Sequence, residues 1–115
     1  MIKIDTYLEF RKGILFVRIS GVIDKYTYKK YYDDVILTIK ENGIRYVVLN
    51  LEKTENIDLK GINSLFYTYE LTRNNKGCLF FTKINNIKKQ IDKSHILRYV
   101  NVIENELISF DEITI

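Results

Sequence analysis

The run Tyr46-Val47-Val48-Leu49 constrains the fold of this chain more than any other segment. Consecutive apolar residues leave a strand no polar face, so it must be covered on both sides, as parallel strands flanked by helices are. The chain then passes through a polar stretch, Glu52 to Gly61, into residues at helical spacing: Ile62, Leu65, Phe66 and Tyr69. A strand that runs through a polar loop into a helix specifies an α/β domain. In open sheets of that kind, ligands and partners meet the loops beyond the carboxyl ends of the parallel strands.

The flanking segments extend the same pattern. Ile2, Ile4, Thr6, Leu8 and Phe10 alternate with polar residues, and Arg11-Lys12-Gly13 reads as a hairpin turn into a second strand, Ile14 to Ser20, with Leu15, Val17 and Ile19 on one face. After Gly21 the period becomes helical, with Tyr28, Tyr32, Val35, Ile36 and Ile39 as the buried stripe and Tyr26 and Tyr31 off it. Asp24 is placed as its N-cap or near-cap, and Asn42-Gly43 as its stop. The central strand is expected over Ile44 to Leu51, and Asn74 to Gly77 ends the helix that follows it. Cys78 to Thr82 is another short strand; Ile84, Ile87 and Ile91 mark a third helix opened by Asn85 and Asn86. In the tail, Glu106 to Ile108 reads as a short strand, and Ser109 with Glu112 has the form of a capping box. The sum is one α/β domain over residues 1–115, a mixed sheet with an N-terminal hairpin and helices alternating with strands.

Composition narrows the function. Charged residues make up 29% with both signs interspersed, and the net charge of +3 is too small for a typical nucleic-acid binder. The basic group Lys83, Lys88, Lys89, Lys93 and Arg98, opposed by Asp92 and near His95, reads as a solvated helix face. No apolar run approaches the roughly 18 residues needed to cross a bilayer, and no secretory leader is visible, so a cytoplasmic location is expected. The single cysteine, Cys78, reads as a small buried strand residue. One histidine, one cysteine and five glycines scattered singly offer neither a metal-ligand grouping nor a phosphate-binding loop, and neither enzyme activity nor a cofactor is expected.

Two loops precede helices at the carboxyl ends of the strands, Gly21 to Lys25 and Glu52 to Gly61, and each holds an aspartate, Asp24 and Asp58. Both can serve as helix caps, and together they can form a recognition surface. Gly21-Val22-Ile23-Asp24, the Val-rich strand and Ile57-Asp58-Leu59-Lys60-Gly61 resemble, in order and spacing, the STAS domain of anti-sigma-factor antagonists and sulfate-transporter tails. That family's Gly-x-Leu/Ile-Asp is matched at Gly21, Ile23 and Asp24; its Asp-Ser-Ser/Thr-Gly loop is matched at Asp58 and Gly61 only.

The resemblance implies a protein–protein interaction module whose partner is an anti-sigma factor that is also a serine kinase, or another STAS-domain protein. It further implies a phospho-switch at the hydroxyl after the loop aspartate, where a phosphate would add about −1.5 to −2 charges at a packed interface. Here that position is Leu59 and the next is Lys60, so the family's hydroxyls are absent. The partner surface is therefore expected at Asp24, Tyr26, Asp58, Leu59, Lys60, Gly61 and Ile62, without a switch at Leu59. Thr54 and Ser64 are the nearest other hydroxyls that could carry a phosphate. A homomeric or heteromeric scaffold of a stress-signalling or transport-associated complex is the competing reading, and a homodimer is compatible with either. The tyrosines at 26, 28, 31 and 32, beside Asp24, add mild support for a binding surface there.

Overall fold

The computed structural model describes residues 3–113; Ile2, assigned above to the first strand, lies outside them. The chain opens with a hairpin of β1 (Ile4–Arg11) and β2 (Ile14–Ile23), antiparallel from Ile4 opposite Gly21 to Arg11 opposite Ile14. Its two-residue loop has positive φ at both Lys12 (52°) and Gly13 (84°), the type I′ geometry whose twist matches that of the strands it joins.

A helical segment follows: α1 (Tyr28–Tyr31), a π-helical turn over Tyr32–Ile36, and α2 (Leu37–Asn42). β3 (Tyr46–Ile57) then runs parallel to β2, and α3 (Leu59–Asn74) leads to β4 (Cys78–Thr82), parallel to β3. A 3₁₀ turn at Asn85–Ile87, α4 (Lys88–Ser94) and a second 3₁₀ turn at Ile96–Arg98 connect to β5 (Asn101–Ile103), parallel to β4. The sheet order is β1-β2-β3-β4-β5.

When successive parallel strands lie side by side in sequence order, crossovers of one hand place every connecting helix on the same face. The main core is accordingly one-sided: Leu15, Val17, Ile19, Val47, Leu49, Leu51, Leu79 and Phe81 from the sheet meet Tyr31, Val35, Ile39, Leu65, Ile91 and Ile96 from the helical segments. Residues of opposite parity, Ile14, Phe16, Val48 and Phe80, point to the other face. The tail covers them with Ile108 from a 3₁₀ turn (Glu106–Ile108), Phe110 from α5 (Ser109–Glu112) and Ile113 just after it.

Several elements differ from the sequence reading. β3 does not end at Leu51; it runs on to Ile57, pairing with the end of β2 across two register shifts. β4 stops opposite Asn50, so the extension Glu52–Ile57 has a neighbouring strand on one side only and turns just Thr54 and Ile57 inward, which is why it reads as a polar loop. In the first helical segment Tyr31, not Tyr28 or Tyr32, is fully buried, because the burial register is 31, 35, 36 and 39 and includes the wide π turn. Thr68 donates its hydroxyl proton to the Ser64 carbonyl at 2.8 Å, so Tyr31 is the donor in their 2.7 Å contact. Burial pushes the Tyr31 phenol pKa upward. In the tail the strand is Asn101–Ile103, while Glu106–Ile108 is a 3₁₀ turn. Ser109 donates to the Glu106 carbonyl (2.6 Å) instead of forming a capping box with Glu112; the cap of that turn is Asn105 Oδ1, which accepts from Ile108 N–H at 3.2 Å.

Candidate functional site

The carboxyl ends of β2 and β3 lie side by side, Ile23 opposite Ile57, and each chain turns from there into a helix. Asp58 has extended φ/ψ and is the N-cap of α3: its Oδ1 accepts from Gly61 N–H at 3.0 Å. Its Oδ2 accepts from Lys25 N–H, also at 3.0 Å, and its own N–H donates to the Ile23 carbonyl at 3.3 Å. One carboxylate thus caps a helix and fastens the neighbouring loop to it.

Asp24 works within its own loop. Oδ1 accepts from Tyr26 N–H (2.8 Å) and Thr27 N–H (3.1 Å), a turn set ahead of the helix and not a cap on it. The residue at the cap position is Thr27, whose buried hydroxyl donates to the Val22 carbonyl at 2.8 Å and accepts from Asp24 N–H at 2.9 Å. A threonine between two tyrosines carries no distinctive sequence signal, so its role emerges only from the fold.

Gly61 lies in the first turn of α3, directly on the end of β2. A Cβ added there would be 2.1 Å from the Ile23 carbonyl oxygen and 2.5 Å from Ile57 Cγ1. The close approach that this glycine permits is therefore to the chain's own backbone. Ile62 is likewise buried in the core. Gly61 thus faces the chain's own backbone, while Ile62, though largely buried, lines a groove beside Leu59.

The side chains that do face outward are apolar or cationic. Leu59, the first residue of α3, is 75% exposed, and Tyr26 is 71% exposed. Lys25 and Lys60 are exposed beside them, with Lys25 Nζ 5.2 Å from the Tyr26 ring centroid and Lys60 Nζ 4.9 Å from that of Tyr28. The aspartates named as candidates are thus engaged by backbone amides, while the display belongs to Tyr26, Leu59 and the lysines. Lys25 was not among the sequence candidates; its position next to Tyr26 was the available signal.

Beside Leu59, a shallow groove of about 340 Å³ runs between α3 and α4 past Asn63, Phe66, Gln90 and Lys93. Its far wall is tied to the β3 extension by Gln90 Nε2 donating to Asn56 Oδ1 (3.0 Å) and Asn86 Nδ2 donating to the Glu52 carbonyl (2.9 Å).

The other hydroxyls are placed unequally. Thr54 is fully buried and donates to the Ile19 carbonyl at 3.1 Å, whereas Ser64 is partly exposed on α3 and donates to the Lys60 carbonyl at 3.1 Å. Cys78 begins β4 half-buried, and burial pushes its thiol pKa upward. Among the described residues no group of three or more His, Cys, Asp or Glu side chains is arranged to hold a metal ion. Nor is any helix long and apolar enough to cross a membrane.

The fold that positions this site is found in known proteins. The profile of the STAS domain matches residues 6–107. The chain belongs to the STAS family. An anti-sigma F factor antagonist of Paenibacillus polymyxa is 22% identical over 109 residues, 94% of this chain and 93% of that protein. Among solved structures, the unphosphorylated form of the anti-sigma factor antagonist SpoIIAA superimposes with a TM-score of 0.74 at 14% identity, covering 94% of this chain and 96% of that one. An anti-sigma factor antagonist from Mycobacterium paratuberculosis gives 0.77 at 18% identity, over 95% and 92% of the two chains. The structural matches carry the STAS fold. In this STAS domain the loop position where the resemblance calls for a hydroxyl is Leu59, which opens α3 fully in view of solvent.

Proposed function

We propose that this STAS domain works by docking on a cytoplasmic protein partner, a serine-kinase-like anti-sigma factor, and that phosphorylation at the α3 junction does not control the complex. The observation that carries the reading is Leu59. It is a large apolar side chain, three-quarters exposed, on a turn whose aspartate is engaged internally by the Gly61 and Lys25 amides. An apolar residue held rigidly at the rim of a loop cluster offers contact area at little ordering cost, and tyrosine beside it does the same with a polar tip. Lys25 and Lys60 favour an acidic counter-surface.

The module binds and does not catalyse: its carboxylates hold loops together, and the groups it displays are a leucine, a tyrosine and two lysines. Thr54 is out of a kinase's reach in the folded chain, which leaves Ser64 as the one hydroxyl of the two candidates accessible for control by another route. Isothermal titration of the purified chain with the serine-kinase-like anti-sigma factor of the same organism tests the surface. A Leu59→Asp variant is expected to bind at least about tenfold more weakly, because the introduced charge must be desolvated at the contact. Unchanged affinity would remove Leu59 from the interface.

A further inference from the structure

The two edges of the sheet are built differently. β5 forms one edge with only three residues, Asn101–Ile103. β1 forms the other as an eight-residue strand paired to β2 without interruption; the register shifts of β2 fall on its opposite side, against β3. The type I′ loop closes on Arg11 and Ile14 as a hydrogen-bonded pair. Odd-numbered residues of β1 therefore aim their backbone groups at β2, in accord with the Lys3 carbonyl accepting from Val22 N–H at 3.2 Å. Ile4, Thr6, Leu8 and Phe10 must then present their N–H and C=O groups at the free edge.

Proteins usually blunt such an edge with proline, a bulge or an inward-pointing charge. The chain contains no proline, β1 has no bulge, and its helix-side residues are Ile4, Thr6, Leu8 and Phe10. The edge charges it does carry, Asp5, Glu9 and Arg11, are of both signs and so repel a second copy only in the wrong register. Tyr7 and Phe10 are 60% and 59% exposed along this edge.

We propose that β1 pairs antiparallel with β1 of a second copy of this chain, about a two-fold axis at Leu8, to give one continuous sheet. The charges select this register. With Leu8 opposite Leu8, Thr6 faces Phe10, Tyr7 faces Glu9, and Asp5 faces Arg11 twice. Asp5 accepts no hydrogen bond among the described residues. Arg11 is held loosely, 3.8 Å from Glu9, which is engaged by Arg18 at 3.0 Å, and 5.8 Å from the centroid of the Phe110 ring. A slip of two residues one way sets Asp5 against Glu9 and Lys3 against Arg11; the other way sets Glu9 against itself. Like charges directly opposite in a ladder are destabilising, so the strand is self-complementary in one alignment. Pairing through one strand makes a small interface and a weak dimer.

Sedimentation velocity of the full chain from about 10 µM to about 1 mM is expected to show the mass rising toward that of a dimer. Asp5→Arg and Arg11→Asp should each remain monomeric alone, because each sets like charges opposite one another at both contacts between positions 5 and 11. Mixed in equal amounts they should associate, since a cation of one variant then faces an anion of the other at both contacts. A wild-type chain monomeric throughout the range, or single variants that dimerise like the wild type, or an equimolar mixture that fails to associate, would overturn the proposal.

Discussion

The Asp58 junction and the Arg18–Glu106 seam both fasten separate segments with a carboxylate, yet they dispose of their apolar neighbours differently. At the junction the partners of Asp58 are backbone amides, Gly61 N–H and Lys25 N–H, so the acid disappears into the turn and Leu59 is left exposed. At the seam Glu106 takes Arg18 Nε at 2.9 Å and Nη2 at 2.7 Å and Asn50 Nδ2 at 2.9 Å, while Arg18 also reaches Glu9 at 3.0 Å. The tail it anchors carries Ile108, Phe110 and Ile113 onto Phe16, Val48 and Phe80, so here the acid is spent on side chains of β2 and β3 and the apolar groups of the tail, Leu107 apart, are turned onto the sheet. The difference teaches that charge at the loop end is scaffolding and that recognition there rests on what the scaffold holds up.

Substitutions can break the comparison in a graded way. Gly61→Ala should have the largest effect on stability, about 3 kcal/mol in denaturant unfolding, because its Cβ would fall 2.1 Å from a main-chain oxygen that cannot swing aside. Asp58→Ala should cost about 1–2 kcal/mol through loss of the cap, and it should also free the Lys25 amide; equal protection of that amide from hydrogen exchange in both proteins would count against the tie between the loops.

The seam should respond to acid. Burial alone would raise the Glu106 pKa, but the hydrogen bonds from Arg18 and Asn50 and the arginine's charge outweigh it and hold the carboxyl below its ordinary value. A depressed folded-state pKa contributes stability above the unfolded value, near 4.3, that is lost as pH falls through the folded one. Glu106→Gln should therefore destabilise the protein by about 1 kcal/mol at neutral pH and flatten the acid limb of its stability profile. An unchanged acid limb would mean the seam is not coupled to folding. The smallest stability effect belongs to Leu59→Asp, expected within about 0.5 kcal/mol of the wild type because the site is exposed and an acid at a helix start is tolerated or favoured. A melting temperature well below the wild type's would make Leu59 part of the scaffold.

Much of this was legible in the sequence. Alternation and a Lys-Gly turn specify the hairpin, continuous apolar runs specify β3 and β4, and Asp58 three residues before Gly61 announces the cap. What escaped had no local signal. Glu52–Ile57 is polar because only one neighbouring strand flanks it, and that depends on where β4 stops. Tyr31 is buried in a stretch bordered by a π turn, which shifts the helical period used to place it outside. β5 has one inward residue, Ile103, too short a pattern to read. Arg18 and Glu106 lie 88 positions apart and meet only once the tail has crossed the sheet. At the site the motif located the loop, and the fold divides its residues: Gly61 packs on the end of β2, Ile62 is largely buried, and Tyr26, Leu59 and Lys60 face outward.

The central claim is that the docking surface is held permanently in an unphosphorylated form. Its most direct test is to incubate the chain, and a Leu59→Ser variant, with the partner serine kinase and ATP, and to follow both the complex and the intact mass. The account predicts that the wild-type complex persists and peptide 57–61 gains no phosphate, while Leu59→Ser acquires one and is released. Release of the wild-type chain on phosphorylation, at Ser64 or elsewhere, would contradict it.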